Sequence, residues 1–189
     1  SAFVSDIYAI TPLGAREPVS ETHGPITLTE NIGNAFASFS ARLGKESEAE
    51  TLLAETIGAP CPPVGRASFG DLGAFWMGPG QWMIAAPIET HELLAEDVAA
   101  RAQGIASVTE QTDAWCRFDL EGDGLKAVFE RLCPINMRDF EDGSATRTSI
   151  DHLGCFVISR LPERITVLGP RSSAGSLHHA RVTAIRSAH

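Results

Sequence analysis

The sequence predicts an α+β fold made of two small related units, on three observations. Short segments with apolar residues at every second position, the pattern of a half-buried strand, recur along the chain. They alternate with segments of helical period. The order of the two types reads βαββαβ and then βαβββα, which predicts an N-terminal arm over 1–34, one unit over 35–110 and a second over 111–189.

Residues 1–34 are rich in Pro, Thr, Gly and Asn and read as irregular. Phe3, Val4, Ile7 and Tyr8 have helical spacing, but Pro12 stops any helix soon after. An apolar segment without a complete amphipathic element must pack on its own domain or on another chain. Phe3, Ile7 and Tyr8 are therefore the candidates for contact with a partner.

The first strand alternates Ala35, Ala37, Phe39, Ala41 and Leu43 against Phe36, Ser38, Ser40 and Arg42, and Gly44 ends it. Ser47 and Glu50 read as a capping box that opens a helix with Ala49, Leu52, Leu53 and Ile57 inward, and Gly58 is its stop. A hairpin follows, with arms 74–77 and 81–85 around the turn Gly78-Pro79-Gly80. Trp76 and Trp82 beside that turn fit a ligand cage or, more simply, cross-strand packing over a core. Residues 89–103 predict a second helix with Leu93, Leu94, Val98 and Ala102 inward, and Ile105 to Val108 a short strand. The resulting order is the split arrangement of a ferredoxin-like unit.

In the second half Cys116, Phe118 and Leu120 alternate with Arg117 and Asp119, a half-buried strand. A helix over 122–132 follows, with Leu125, Val128, Phe129 and Leu132 on one face. Strands over 146–150, 155–160 and 164–168 and a last helix over 172–185 complete the order. The two halves share no detectable sequence likeness.

Composition narrows the function. Hydrophobic residues make up 43% of the chain, enough for a core. Twenty-four acidic against fifteen basic side chains give a net charge of −9, the wrong sign for a phosphate-binding surface. No apolar run is long enough to span a membrane, and the N-terminus lacks a basic region followed by an apolar stretch. The expected location is the cytoplasm. Cys61, Cys116, Cys133 and Cys155 form no CxxC pair, and no His stands at chelating distance from any of them. Cys116 and Cys155, inside apolar strands, read as buried free thiols. Adjacent His178 and His179 cannot chelate as an i, i+4 pair does and read as a solvated helix face. GxSxG, Walker, HExxH and dinucleotide fingerprints are all missing.

Few residues remain as candidates for chemistry. Asp113, with Glu110 three positions before it, has no visible partner base and fits a loop acid that satisfies local backbone donors. Arg171-Ser172-Ser173 at a helix start fits an anion contact, or an N-cap with an Arg salt bridge within the chain or to a neighbour. The acidic run Asp139, Glu141, Asp142 fits a solvated loop better than a metal site.

Several segments in order resemble the gamma subunit of heterotetrameric sarcosine oxidase. They are Phe75-Trp76-Met77-Gly78-Pro79-Gly80-Gln81-Trp82 and Gln111-Thr112-Asp113-Ala114-Trp115, then Arg131-Leu132-Cys133-Pro134-Ile135-Asn136-Met137. Arg147-Thr148 before a strand and Arg171-Ser172 at the last helix follow, so that the similarity covers roughly residues 25–185. Asn136 departs from the Asp expected there. The resemblance implies a folate-binding, aminomethyltransferase-like fold and a place beside alpha, beta and delta subunits. It implies an accessory chain with no catalytic, cofactor-binding or metal-binding residue of its own. FAD, FMN, NAD, zinc and tetrahydrofolate are expected on the partner subunits. The complex would oxidise sarcosine to glycine with hydrogen peroxide, passing the one-carbon unit to tetrahydrofolate or releasing it as formaldehyde. Arg171 joins Phe3, Ile7 and Tyr8 as a partner-interface candidate. The alternative is a free-standing folate-binding, aminomethyltransferase-like protein, and a third reading is a regulatory scaffold.

Overall fold

The structure, a computed structural model, describes residues 9–188. Phe3, Ile7 and Tyr8 lie outside the described residues. The first strands are β1 (Ser20–His23), β2 (Ile26–Asn31) and β3 (Asn34–Ala41), and helix α1 (Glu46–Ile57) follows. Next come β4 (Ala67–Phe69), β5 (Gly73–Gly78), β6 (Gln81–Pro87), α2 (Leu94–Arg101) and β7 (Ala106–Glu110). The second half holds β8 (Trp115–Gly122), α3 (Leu125–Leu132), β9 (Ala145–Ile150), β10 (Leu153–Arg160), β11 (Arg164–Pro170) and α4 (Ala174–Ala188).

The strands form two antiparallel sheets, ordered β4-β5-β6-β3-β7 and β1-β2-β8-β11-β10-β9. Period-2 alternation gives each strand two chemically distinct faces. Ala35, Ala37, Phe39 and Ile84 point from the five-stranded sheet to Leu53 and Ile57 of α1 and Leu94 and Val98 of α2. Leu28, Phe118, Leu120, Val157 and Val167 point from the six-stranded sheet to Val128 and Phe129 of α3 and Leu177 and Ile185 of α4. The opposite faces meet each other, Phe36, Phe75 and Met83 against Phe156, Ile158 and Leu168. The layers therefore run helix, sheet, sheet, helix. Each large apolar side chain so buried contributes about 1.5–3 kcal/mol relative to exposure.

One edge joins the two sheets. Arg66 bridges Ser144, the Ala67 amide donates to the Gly143 carbonyl at 2.8 Å, and the Ala145 amide donates to Gly65 at 2.9 Å. The Arg66 guanidinium caps this seam on Glu141 at 3.1 Å and on the Asp142 carbonyl at 2.9 Å. The acidic run thus serves the seam through two of its members. Asp139 accepts from Asn136, whose own Oδ1 takes the Arg138 amide, so the departing residue closes a local turn.

Several expectations are corrected. The segment read as an irregular arm contributes β1 and β2, and β2 pairs along β8 from Ile26↔Gly122 to Asn31↔Arg117. Gly122 makes this fit possible: its φ is +128°, and a Cβ there would collide with the Pro25 carbonyl. The Ser47/Glu50 capping box does not form; α1 starts at Glu46 with Lys45 at the cap and no side-chain cap bond. Glu46 instead reaches back to the Gly44 amide at 3.1 Å. Gly58 does close α1 in the left-handed conformation, φ +69°. Helix α2 is shorter than expected, and Leu93 before it is 55% exposed rather than inward. Helix α3 starts at Leu125, after two glycines with positive φ. The three-residue strand β4 has too little alternation to be read from sequence.

Candidate functional site

The gap between the facing sheets holds a set of charged and polar side chains that runs from buried Asp119 to exposed Glu121. Arg117, Asp119 and Glu121 occupy alternate positions of β8, Arg164 and Thr166 those of β11, and Arg160 ends β10. Sequence alternation marks Arg117 and Asp119 as the polar side of a strand, which is correct. Asp119 is nevertheless only 4% exposed, because the polar side faces protein rather than solvent.

Asp119 is the hub of this set. Its Oδ1 accepts from Thr166 Oγ1 at 2.6 Å and Arg117 Nε at 3.0 Å, and its Oδ2 from Asn31 Nδ2 at 3.0 Å. Arg117 continues across to Asn34 Oδ1 at the start of β3. The network therefore ties β2, β8 and β11 to the first strand of the other sheet. Burial alone pushes the Asp119 carboxyl up, but the adjacent Arg117 charge and the three donors outweigh it and hold the carboxyl below its ordinary value.

Beside this hub a cleft of about 60 Å³ opens between the sheets. Phe36, Phe75, Gly73 and Ala85 supply its apolar wall, and Arg117, Arg160, Arg164 and Thr166 its polar one. That space admits a few non-hydrogen atoms, well short of the roughly 300–1,000 Å³ typical of a site for a bicyclic cofactor. Among the described residues, no group of three or more His, Cys, Asp or Glu side chains is arranged to hold a metal ion.

The residues singled out by sequence fall elsewhere, and of them Asp113, Arg171 and Ser172 meet at one surface depression. Asp113 is exposed and lines an open surface depression of about 570 Å³ with Ile10, Pro12, Ala114 and Arg171. Glu110 accepts the Thr112 amide at 2.7 Å, a local turn contact. Arg171 donates through Nη2 to the Ile10 carbonyl at 3.2 Å, and its backbone amide donates to Ala114 at 3.1 Å. The cap position before Arg171-Ser172-Ser173 is Pro170, and no hydroxyl caps the turn. Arg171 thus ties the described N-terminal segment to the last helix. Glu30, 2% exposed, tethers the same segment by accepting the Leu13 amide at 2.9 Å and the Val19 amide at 3.1 Å.

Trp82 is a packing residue: it is buried against Phe39, and its Nε1 donates to the Pro62 carbonyl at 2.9 Å. The four cysteines are free thiols, with Cys116, Cys133 and Cys155 buried. Burial pushes Cys155 up to about 11, a poor nucleophile at neutral pH. His178 is not on a solvated face as expected. It is half-buried, 6.2 Å from the Phe118 ring, with Nε2 3.4 Å from the Glu21 carboxylate that also takes His23 at 2.9 Å. Strand β1, absent from the sequence reading, is what supplies that partner. His179 is exposed.

Comparison with known proteins places the fold. No family model and no curated protein matches the chain. A chain of heterotetrameric sarcosine oxidase from Corynebacterium sp. U-96, in complex with pyrrole 2-carboxylate, superposes with a TM-score of 0.76 at 22% identity over 88% of both chains. Glycine cleavage system aminomethyltransferase T from Bartonella henselae superposes with a TM-score of 0.66 at 14% identity, over 87% of this chain. The chain spans 50% of that aminomethyltransferase. At these identities the likenesses show a shared architecture: two units of α+β type whose sheets pack face to face, the arrangement seen in sarcosine oxidase and in the aminomethyltransferase.

Proposed function

We propose that this chain is an accessory, gamma-type subunit of a heterotetrameric sarcosine oxidase, with its chemistry carried by alpha, beta and delta partners. The observation that supports this reading best is the end-to-end likeness to a sarcosine oxidase chain, 88% of each. The ordered sequence segments from Phe75 to Ser172 support it independently of the backbone superposition. FAD, FMN, NAD, zinc and tetrahydrofolate belong to the partner subunits in this reading. The chain's own contribution is a rigid surface that positions those subunits.

Phe3, Ile7 and Tyr8 are the proposed contact segment, and Arg171, which holds the Ile10 carbonyl, is the fourth proposed contact residue. Glu30 anchors the backbone at Leu13 and Val19, so residues 1–8 can be removed without disturbing that tether. Deleting them is expected to leave thermal unfolding of the isolated chain unchanged and to abolish its co-purification with alpha and beta. Undiminished co-purification would refute the role of the arm while leaving the subunit reading intact.

The aminomethyltransferase likeness favours a second reading, a free-standing folate-binding protein. Against it stands length: the chain spans 50% of that aminomethyltransferase. Calorimetric titration of the isolated chain with tetrahydrofolate is expected to give no heat of binding at micromolar concentrations. A saturable micromolar isotherm would favour the second reading.

A further inference from the structure

Arg160 and Arg164 stand directly opposite each other, the last register pair of β10 and β11, and both line the same cleft. Like charges at opposed positions of an antiparallel pair repel. The repulsion is relieved in part, since the Arg164 side chain is 33% exposed. Arg117 is already committed to Asp119 and Asn34. The carboxylate paired with Arg164 is Glu121, 56% exposed and 3.8 Å away, too far for a hydrogen bond. Arg160 lies over the Phe69 ring with Cζ 4.0 Å from its centre. Arg164 Nε is buried and has no hydrogen-bond partner. Leaving such a charged donor unpaired costs more than leaving a neutral one.

We propose that this end of the cleft is a carboxylate-binding site. A carboxylate seated between the two guanidiniums supplies the acceptor that Arg164 Nε lacks and offsets the Arg160–Arg164 repulsion. The wall opposite is apolar, formed by Phe36 and Phe75, with Gly73 and Ala85 too small to fill the space, and Ile158 adds an apolar neighbour beside Arg160. The matching ligand is a monocarboxylate with a short aliphatic stem: charge on the arginines, methylenes against the aromatic wall. About 60 Å³ accommodates a carboxylate and one or two carbons. Two sources present that group, a free short-chain acid and a Glu side chain of a partner polypeptide inserted at the cleft mouth. Phe69, 43% exposed at the rim, is placed to cover either.

The test is nuclear magnetic resonance titration of the full chain with propionate, following the arginine Nε–H resonances. A saturable shift of the Arg164 signal at millimolar propionate is expected, consistent with a ligand of so few atoms. Arg164→Gln and Arg160→Gln should each weaken binding about tenfold or more, one lost charge-assisted hydrogen bond apiece. Amide spectra of both variants would verify that they are folded. Propionamide should give no shift. Tighter binding of N-acetyl-glutamate methylamide than of propionate assigns the site to a protein side chain, and the reverse assigns it to a free acid. No saturable shift by about 50 mM propionate, unchanged affinity in both variants, or equal binding of inorganic phosphate would overturn the proposal.

Discussion

Replacing Asp119 with alanine is expected to destabilise the chain by about 3–5 kcal/mol, because it leaves the Arg117 charge without its carboxylate in a mostly buried position. The Arg117 side chain is 14% exposed and the Asp119 side chain 6%. Three donors, Arg117 Nε, Thr166 Oγ1 and Asn31 Nδ2, lose their acceptor in one substitution. The midpoint of thermal unfolding should fall by about 10 °C for a chain of this size. Its pH dependence follows from the direction of the Asp119 shift. The folded carboxyl lies below its unfolded value of 3.8, so the unfolded chain binds the proton more readily. Stability from this group is complete above that value and is lost as pH falls through the lower, folded one. Chemical denaturation of wild type and Asp119→Ala should therefore differ by a constant amount from neutrality to about pH 4 and converge below it. A difference that vanishes at neutral pH would show that the network does not hold the sheets.

Arg181→Met is expected to act in the opposite direction, raising stability by about 1–4 kcal/mol. Arg181 on α4 is 0% exposed, and none of its three guanidinium nitrogens has a hydrogen-bond partner. Its compensation is the Phe118 face, 3.7 Å from Cζ, worth about 2 kcal/mol when desolvated. Burial pushes the group down to about 9, with the Cys116 and Cys155 sulfurs acting weakly the other way. At neutral pH it is still charged, and the core bears the desolvation. Methionine keeps the length and flexibility of the side chain without the charge. The sign of the pH effect is again fixed. Above about 9 the unfolded chain still holds the proton that the folded chain has begun to release, so wild-type stability gains as pH rises through about 9. The advantage of the variant should narrow over that range in urea titrations. A variant less stable than wild type at pH 7 would contradict this account of Arg181.

Both residues show which parts of the molecule were legible in the sequence. The strand at Cys116–Leu120 announced itself through alternation, Cys155–Arg160 as an apolar run between Gly154 and Pro162, and the hairpin around Gly78-Pro79-Gly80 through turn chemistry. Strand β2 alternates as cleanly, Ile26, Leu28 and Glu30 inward, but its third buried residue is a carboxylate that turns out to accept two backbone amides. A buried acid reads as a surface acid until its donors are known. The same confusion placed Asp119 at the surface: alternation fixes which side of a strand a residue takes and says nothing of what covers that side. Arg181 follows Leu177 by four positions and precedes Ile185 by four, squarely on the apolar stripe of α4. Spacing alone puts Arg181 on the buried stripe, and only the packed helix shows that its charge is buried there. The cleft required both sheets at once, since Arg160 and Phe69 are far apart in sequence and meet only when the sheets face each other.

The subunit reading is tested most directly by co-expressing the full chain with alpha, beta and delta subunits of a heterotetrameric sarcosine oxidase and weighing the purified complex. The account predicts one copy of this chain in a stable complex that fails to assemble when the chain is omitted. A complete, active alpha–beta–delta complex that excludes the chain would contradict it.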